Sequence, residues 1–365
     1  MPATTNKNIT AKGLRGVKHF LTSLFLGANI LTVLLLWSCC FSTLIPTSEF
    51  PRLSLLGLAF PIFLFVNLAF VIFWIIFKIR FAWIPLFALL VIWGYVQDYY
   101  PIHLFSSPKP ENSLRIMAYN VGGANNEEKR NEIIEYCKNT NADIICLQEN
   151  FFLLLDRSKV RSALDSMNYQ MMKNGGLCIL SKLPFVSDSI PINYPTRSNH
   201  SLACMIEYQG DTILLINNHL ESNHFTPEEK TEIKDIMEDP HHKKVEEKGL
   251  LYGNKLTEAA KYRGAQTDSI CVLIDKYSNY KTIVCGDFND TPISYTYQKI
   301  NRVLKNAYRE SGKGVGISYN QKGFYVRIDH IFVSKEWKTF DTHIDSSIQS
   351  SDHYPLITNI QKNNK

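Results

Sequence analysis

Hydrophobic and polar positions divide the chain into two unlike parts. Up to about residue 105 the apolar positions form long, nearly uncharged runs at 20–45, 53–77 and 81–97. A helix needs roughly 20 apolar residues to cross a bilayer, so these runs predict three transmembrane helices. The third ends in Trp93, Tyr95, Tyr99 and Tyr100, residue types that favour the headgroup level. From residue 113 onward the apolar runs are short, at 114–119, 143–147, 177–180, 203–207, 212–217, 281–285, 325–334 and 354–360. These read as strands. Helical periodicity is confined to 127–139, 257–277 and 293–304, and 221–247 is a charged insertion with little apolar periodicity. Many short strands with few helices predict two packed sheets flanked by helices, an α/β sandwich. The polar, Pro-rich stretch 106–112 separates an anchor, 1–105, from a soluble domain, 113–365.

Charge sharpens the division. Of 39 basic and 34 acidic residues, seven basic residues and only Glu49 and Asp98 precede residue 106, leaving 32 of each sign beyond it. The whole net charge of +5 therefore belongs to the apolar part. The soluble domain has no surplus with which to neutralise a nucleic acid. Lys7, Lys12, Arg15 and Lys18 precede the first run, and Lys78 and Arg80 lie between the second and third. Basic loops stay in the cytoplasm, so three crossings place the soluble domain on the extracytoplasmic side. The eight cysteines include no C-x-x-C pair, which excludes the common zinc and redox spacings. Phosphate-cradling and nucleophile-elbow motifs are absent.

Candidate chemistry gathers at the ends of the strand-like runs: Asn120, Glu149, His219, Asp287 with Asn289, Asp329 with His330, and Ser351-Asp352-His353. Glu149 follows a fully apolar strand, where a carboxylate suits a hard cation or is simply a solvated strand end. Asp287 and Asn289, two apart on extended backbone, point the same way, or else form an Asx turn. Asp329 interrupts an apolar strand. A buried carboxylate needs a partner, and His353 offers one: a carboxylate on an imidazole fixes its tautomer and raises its basicity. His219 alone is compatible with a structural role.

Taken together, Met117-Ala118-Tyr119-Asn120-Val121, Leu147-Gln148-Glu149, Asn218-His219-Leu220, Gly286-Asp287-Phe288-Asn289, Arg327-Ile328-Asp329-His330 and Ser351-Asp352-His353-Tyr354-Pro355 resemble the endonuclease/exonuclease/phosphatase superfamily from about residue 113 to the end. The resemblance implies a four-layered α/β sandwich and Mg²⁺- or Mn²⁺-dependent hydrolysis of a phosphodiester or phosphomonoester. It implies Glu149 as principal metal ligand supported by Asn120, with Asp352 at or near the metal and Asp287 orienting water or a second metal. Asn289 and His219 would hold the phosphate, and His353, oriented by Asp329, would be the general base or a phosphate-polarising imidazole. Two positions depart from relatives: Gly122 stands where abasic-site endonucleases have an acid, and His330 where Tyr is frequent. The insertion 221–247 follows His219 and is expected to border the pocket. Arg263 beyond it is a candidate phosphate contact or a solvated helix residue. The expected protein is a membrane-anchored phosphoesterase acting on a lipid headgroup, a sugar or inositol phosphate, or nucleic acid. The competing expectations are a nuclease and a non-catalytic scaffold.

Overall fold

The computed structural model describes residues 3–103, 108–150, 167–238, 244–321 and 324–363. Residues 106 and 107 of the expected linker, and 239–243 of the insertion, lie outside these. The N-terminal part is helical: α1 (Ala3–Ser42), α2 (Ser54–Leu58), α3 (Phe60–Phe77), α4 (Trp83–Val91) and α5 (Trp93–Tyr99). Arg15–Ser42 within α1, and α3, are each long and apolar enough to cross a membrane. Their lipid-type side chains, such as Phe20, Leu24, Phe65 and Ile76, are exposed. The two helices are clamped by buried amides. Asn29 Nδ2 donates to Asn67 Oδ1 at 3.4 Å and Trp74 Nε1 to Asn29 Oδ1 at 3.0 Å, the interhelical pairing expected between spans.

The second and third apolar runs differ from expectation. The second does not begin a span at residue 53: α2 is a separate short helix, and α3 starts at Phe60 with Pro61 in its first turn, where the missing N–H is harmless. The third run is not one continuous helix: its two halves meet at 65° around Ile92, the geometry of a broken span or a re-entrant pair.

The remainder is the four-layered sandwich. Strands β1 (Leu114–Asn120), β2 (Ile144–Gln148), β3 (Gln170–Asn174), β4 (Leu177–Ser181), β12 (Trp337–Ile344) and β13 (Leu356–Lys362) form one sheet in the order β12-β13-β1-β2-β4-β3. The second sheet, β5-β6-β7-β11-β8, comprises β5 (Ser201–Tyr208), β6 (Asp211–His219), β7 (Lys281–Asp287), β8 (Lys305–Asn306) and β11 (Asp329–Val333). Pairing is antiparallel except between β1 and β2 and between β6 and β7. The sheets face each other through Ile116, Cys146, Ile179, Ile206, Leu215, Ile283 and Ile331. Outside the first sheet, α6 (Glu127–Thr140) packs Ile133 and Cys137 on Met117 and Leu147. Outside the second lie α8 (Lys244–Lys276) and α9 (Tyr295–Val303), with Ile270 and Tyr297 on Leu214, Val284 and Phe332. Seven of the cysteines are buried free thiols, and Cys271 is half-buried.

Strands β3 and β12 escaped the sequence reading. The expected strand 325–334 is two elements: β10 (Phe324–Val326), in a hairpin with β9 (Tyr319–Gln321), and β11. The break falls at Arg327, whose guanidinium turns to the carbonyls of Asp98, Tyr99 and Val315. The charged insertion is mostly helix, α7 (Pro227–Glu238) and the first turns of α8. These helices meet through Lys255–Glu229 and Lys248–Glu232 ion pairs and the Tyr252–Glu232 hydrogen bond. Charged residues outnumber apolar ones in α7, so its Ile233 and Ile236 do not stand out in the sequence.

Candidate active site

Both parallel strand pairs end at the same place. Asn120 lies beside Gln148, one residue before Glu149. In the other sheet His219 pairs with Asp287, and Asp287 with Asp329. The C-terminal ends of β1, β2, β6 and β7 thus converge on one pocket, joined by Asp329 at the start of β11 and by Asp352 and His353 just before β13. Gly286, at φ +122°, allows β7 to approach the Asn218 backbone so closely that a Cβ would lie 2.1 Å from its carbonyl oxygen. Glu149 and Asn289 also hold left-handed backbone, φ +54° and +50°. Such conformations are costly for non-glycine residues and persist where the surroundings impose them.

The side chains form a connected network. Asn120 Nδ2 donates to Glu149 Oε1 at 3.2 Å and to Asp287 Oδ2 at 3.0 Å, while its Oδ1 accepts from Gly122 N at 2.9 Å. That last bond fixes the amide, so Asn120 presents its NH₂ to the carboxylates and spaces them rather than offering them an oxygen. Asp287 Oδ1 accepts from Asn289 N at 2.8 Å, and Asn289 Nδ2 reaches Leu220 O at 2.9 Å. His353 Nδ1 lies 2.8 Å from Asp329 Oδ2, and its Nε2 lies 3.7 Å from Asp287 Oδ2. His219 Nε2 stands 3.6 Å from Glu149 Oε1 and 3.7 Å from Asp287 Oδ2.

Charge differentiates the groups. Burial holds His219 neutral, lowering its pKa to about 3, with the charge of His353 adding to the effect. Burial also disfavours the charged form of His353, but Asp329 and Asp287 outweigh it and raise the pKa to about 10. Asp287 is pushed up to about 7, chiefly by burial, against the attraction of His353. The site therefore presents a buried imidazolium, a neutral imidazole and a carboxyl that protonates near neutrality, a combination characteristic of acid–base sites.

Gly122 is explained by space: a Cβ there would stand 2.5 Å from Glu149 Oε2. His330 is a packing residue. It is fully buried against Phe288 and Tyr297, its Nε2 donates to Asp290 O at 2.9 Å, and burial lowers its pKa to about 3. Arg263 is not the solvated helix residue considered from sequence. It is 3 % exposed, with Nε 3.0 Å from Asp290 Oδ2 and Nη1 donating to Glu221 O and Asn223 Oδ1. It ties α8 to the loops after β6 and β7 and lines the pocket. Sequence reading assigned no role to Ser351, which donates to the carbonyls of Asn120 and Gly122 and accepts from His353 N. Nor did it single out Tyr319, whose ring lies 4.9 Å from that of His353.

The donor set fits a hard divalent cation. The carboxylates of Glu149 and Asp287 are spaced by one amide, and Asp352 lines the same cavity. Carboxylate oxygens are the ligands that such a cation takes. A second group, Asp287, Asp329 and His353, also clusters within 4.8 Å, and there Asp329 Oδ2 already accepts from His353 Nδ1.

A sequence profile described as the Endonuclease/Exonuclease/phosphatase family matches residues 117–353. The chain belongs to that family. A second profile, described as a domain of unknown function, matches residues 22–99, which covers the apolar helices. No curated protein matches. Among solved structures, the human Nocturnin catalytic domain with bound sulfate is similar at 18 % identity, over 69 % of this chain and 94 % of that one, with a TM-score of 0.49. The D. rerio TDP2 complex with single-strand DNA product is similar at 14 % identity, over 69 % and 100 %, TM-score 0.48. An endonuclease/exonuclease/phosphatase protein of Bacteroides vulgatus is similar at 16 %, over 69 % and 100 %, TM-score 0.48. Family membership carries divalent-metal phosphoester chemistry as the activity class and agrees with the four-layered fold.

Proposed function

We propose that this protein is a membrane-anchored, Mg²⁺- or Mn²⁺-dependent phosphoesterase, with an anchor at 1–105 and a catalytic domain at 113–365 on the extracytoplasmic side. The observation that carries the reading is the convergence of Glu149, Asp287, Asp352, His219 and His353 on one cavity. Glu149, with Asp287 and Asp352, would hold the cation, which supplies Lewis acidity toward a phosphoryl oxygen. Asp287 orients a water for attack on phosphorus and takes its proton on the carboxyl group. His219 and Asn289 bind the non-bridging oxygens. The His353 imidazolium, kept in place by Asp329, stabilises the developing charge and returns a proton to the leaving oxygen, so the ester P–O bond breaks as the water P–O bond forms.

The orientation is supported by the placement of basic groups. Arg15, Lys18, His19, Lys78 and Arg80 gather around one pocket, at the far end of α3 from Phe60. With about 1.5 Å per residue, the 18 residues of α3 separate the two ends by about 27 Å. Phe60 itself packs near Ile293 of the sandwich. Basic groups at the end remote from the catalytic part favour a cytoplasmic N-terminus.

The test is hydrolysis of bis(p-nitrophenyl) phosphate and p-nitrophenyl phosphate by the full chain in nanodiscs, with Mg²⁺, Mn²⁺ or EDTA, beside Glu149→Gln. Turnover that survives EDTA or Glu149→Gln refutes the mechanism. Protease digestion of the catalytic domain from outside intact cells supports the orientation, and protection overturns it.

A further inference from the structure

The cavity at the candidate site joins the polar residues of the site to an apolar lining. Its volume is about 470 Å³, and its walls include Leu55, Leu58, Phe225, Ile233, Ile236 and Val326. Two of these, Leu55 and Leu58, belong to α2, which joins the first apolar helix to the second. Phe60 starts the second span two residues after Leu58, so this wall stands where α3 would enter the bilayer. It is built in place. A Cβ on Gly57 would lie 2.0 Å from Ile293 O, and Thr47 Oγ1 donates to Ala260 O at 2.8 Å. Beside the rim residues Gly249 and Tyr252, Leu250 and Leu251 are 72 % and 44 % exposed.

Charge argues against a polyanion. Among the described residues lining the cavity, the carboxylates of Glu149, Asp287, Asp290 and Asp352 face Lys230, Arg263 and the His353 imidazolium, which Asp329 already pairs. Arg263 is already paired with Asp290. A nucleic acid needs cations along its backbone, and a small hydrophilic phosphate has nothing to bury against leucines. A molecule with one phosphoester and an apolar chain satisfies both halves of the cavity. We infer that the substrate is a membrane lipid carrying a phosphoester headgroup, its phosphate at Glu149 and His219 and its chain along Leu55 and Leu58 toward the bilayer. The inference rests on the phosphoesterase reading and adds the substrate class.

The test uses the full chain in nanodiscs with Mg²⁺ and a series of p-nitrophenyl alkyl phosphodiesters, methyl to octyl, whose leaving group is constant. Burial of a methylene is worth roughly fourfold in affinity, so kcat/KM rises with chain length by about that factor per buried carbon, chiefly through KM. Leu55→Ser with Leu58→Ser flattens the rise, as does Phe225→Ser, another lining residue. Val186→Ser, exposed on the sandwich away from the cavity, leaves it intact. A flat series in the wild type overturns the inference. So does an equal slope in the wall variants, which would mean that the rise reports partition into the bilayer. Hydrolysis of no ester, methyl included, overturns the phosphoesterase reading instead.

Discussion

Asp98 fastens the N-terminal helices to the sandwich, and Asp98→Ala tests that directly. Asp98 is buried at the end of α5, and its carboxylate accepts from Gln298 Nε2 at 2.7 Å, Arg309 Nη1 at 2.8 Å, Asn301 Nδ2 at 3.3 Å and Tyr297 Oη at 3.4 Å. Alanine leaves four donors facing a void. Removing one member of a buried pair costs about 3–5 kcal/mol. Arg309 is 33 % exposed and recovers some hydration, so the lower end, about 3 kcal/mol, applies. For domains of 150–250 residues that corresponds to a fall of roughly 6–12 °C. The measurement is the midpoint of thermal inactivation of the full chain in nanodiscs at a fixed heating rate. Asp98→Leu with Arg309→Met removes both charges and should regain most of the loss, because buried pairs replaced by apolar groups are often neutral. An unchanged midpoint in Asp98→Ala, or a double variant no better than the single, would refute the reasoning.

Three further outcomes follow from the site and its surroundings. Gly122→Ala pushes a methyl to within 2.5 Å of Glu149 Oε2; phosphoester turnover should fall at least about tenfold through weaker Mg²⁺ activation, while the unfolding midpoint hardly moves, since a flexible carboxylate gives way. Asp329→Asn removes the partner of His353 Nδ1, and kcat should drop about 10²–10⁴-fold with KM little changed; a loss confined to KM would contradict the assignment. Burial raises the Asp345 pKa, but hydrogen bonds from Tyr136 and Ser347 outweigh it and hold the pKa below its usual value. A depressed carboxylate stabilises above the unfolded value of about 4 and loses that contribution as pH falls through the folded one. The destabilisation by Tyr136→Phe should therefore be full at pH 7 and shrink below about pH 4, and a gap independent of pH would refute it.

Much of the site was legible because its residues stand at strand ends, where a polar group interrupts an apolar run. Glu149, Asp287 and His219 announce themselves this way, and the tertiary fold brings them together as the family motifs imply. The pairing of Asp329 with His353 was also accessible, because an acid inside an apolar strand demands a partner. The role of Asn120 was only half visible: sequence marks it as polar at the site, but the Gly122 N–H decides which end of its amide faces the carboxylates. His330 and Arg263 show the opposite case. Each looks chemically available in a one-dimensional reading; His330 is enclosed by partners far away in the chain, and Arg263 lines the pocket while paired with Asp290.

Sequence by itself determined the division into apolar and polar parts, the strand-rich class of the second part and the identity of the chemical groups. These follow from local periodicity and from the cost of leaving apolar surface in water. Only the tertiary structure decided that 54–58 departs from the apolar run to wall the cavity, that Asp98 joins the N-terminal helices to the sandwich, and that the described part of the insertion is largely helical and held by ion pairs. Each of these depends on contacts between residues distant in sequence, and local pattern carries no record of which distant partner a polar group will meet.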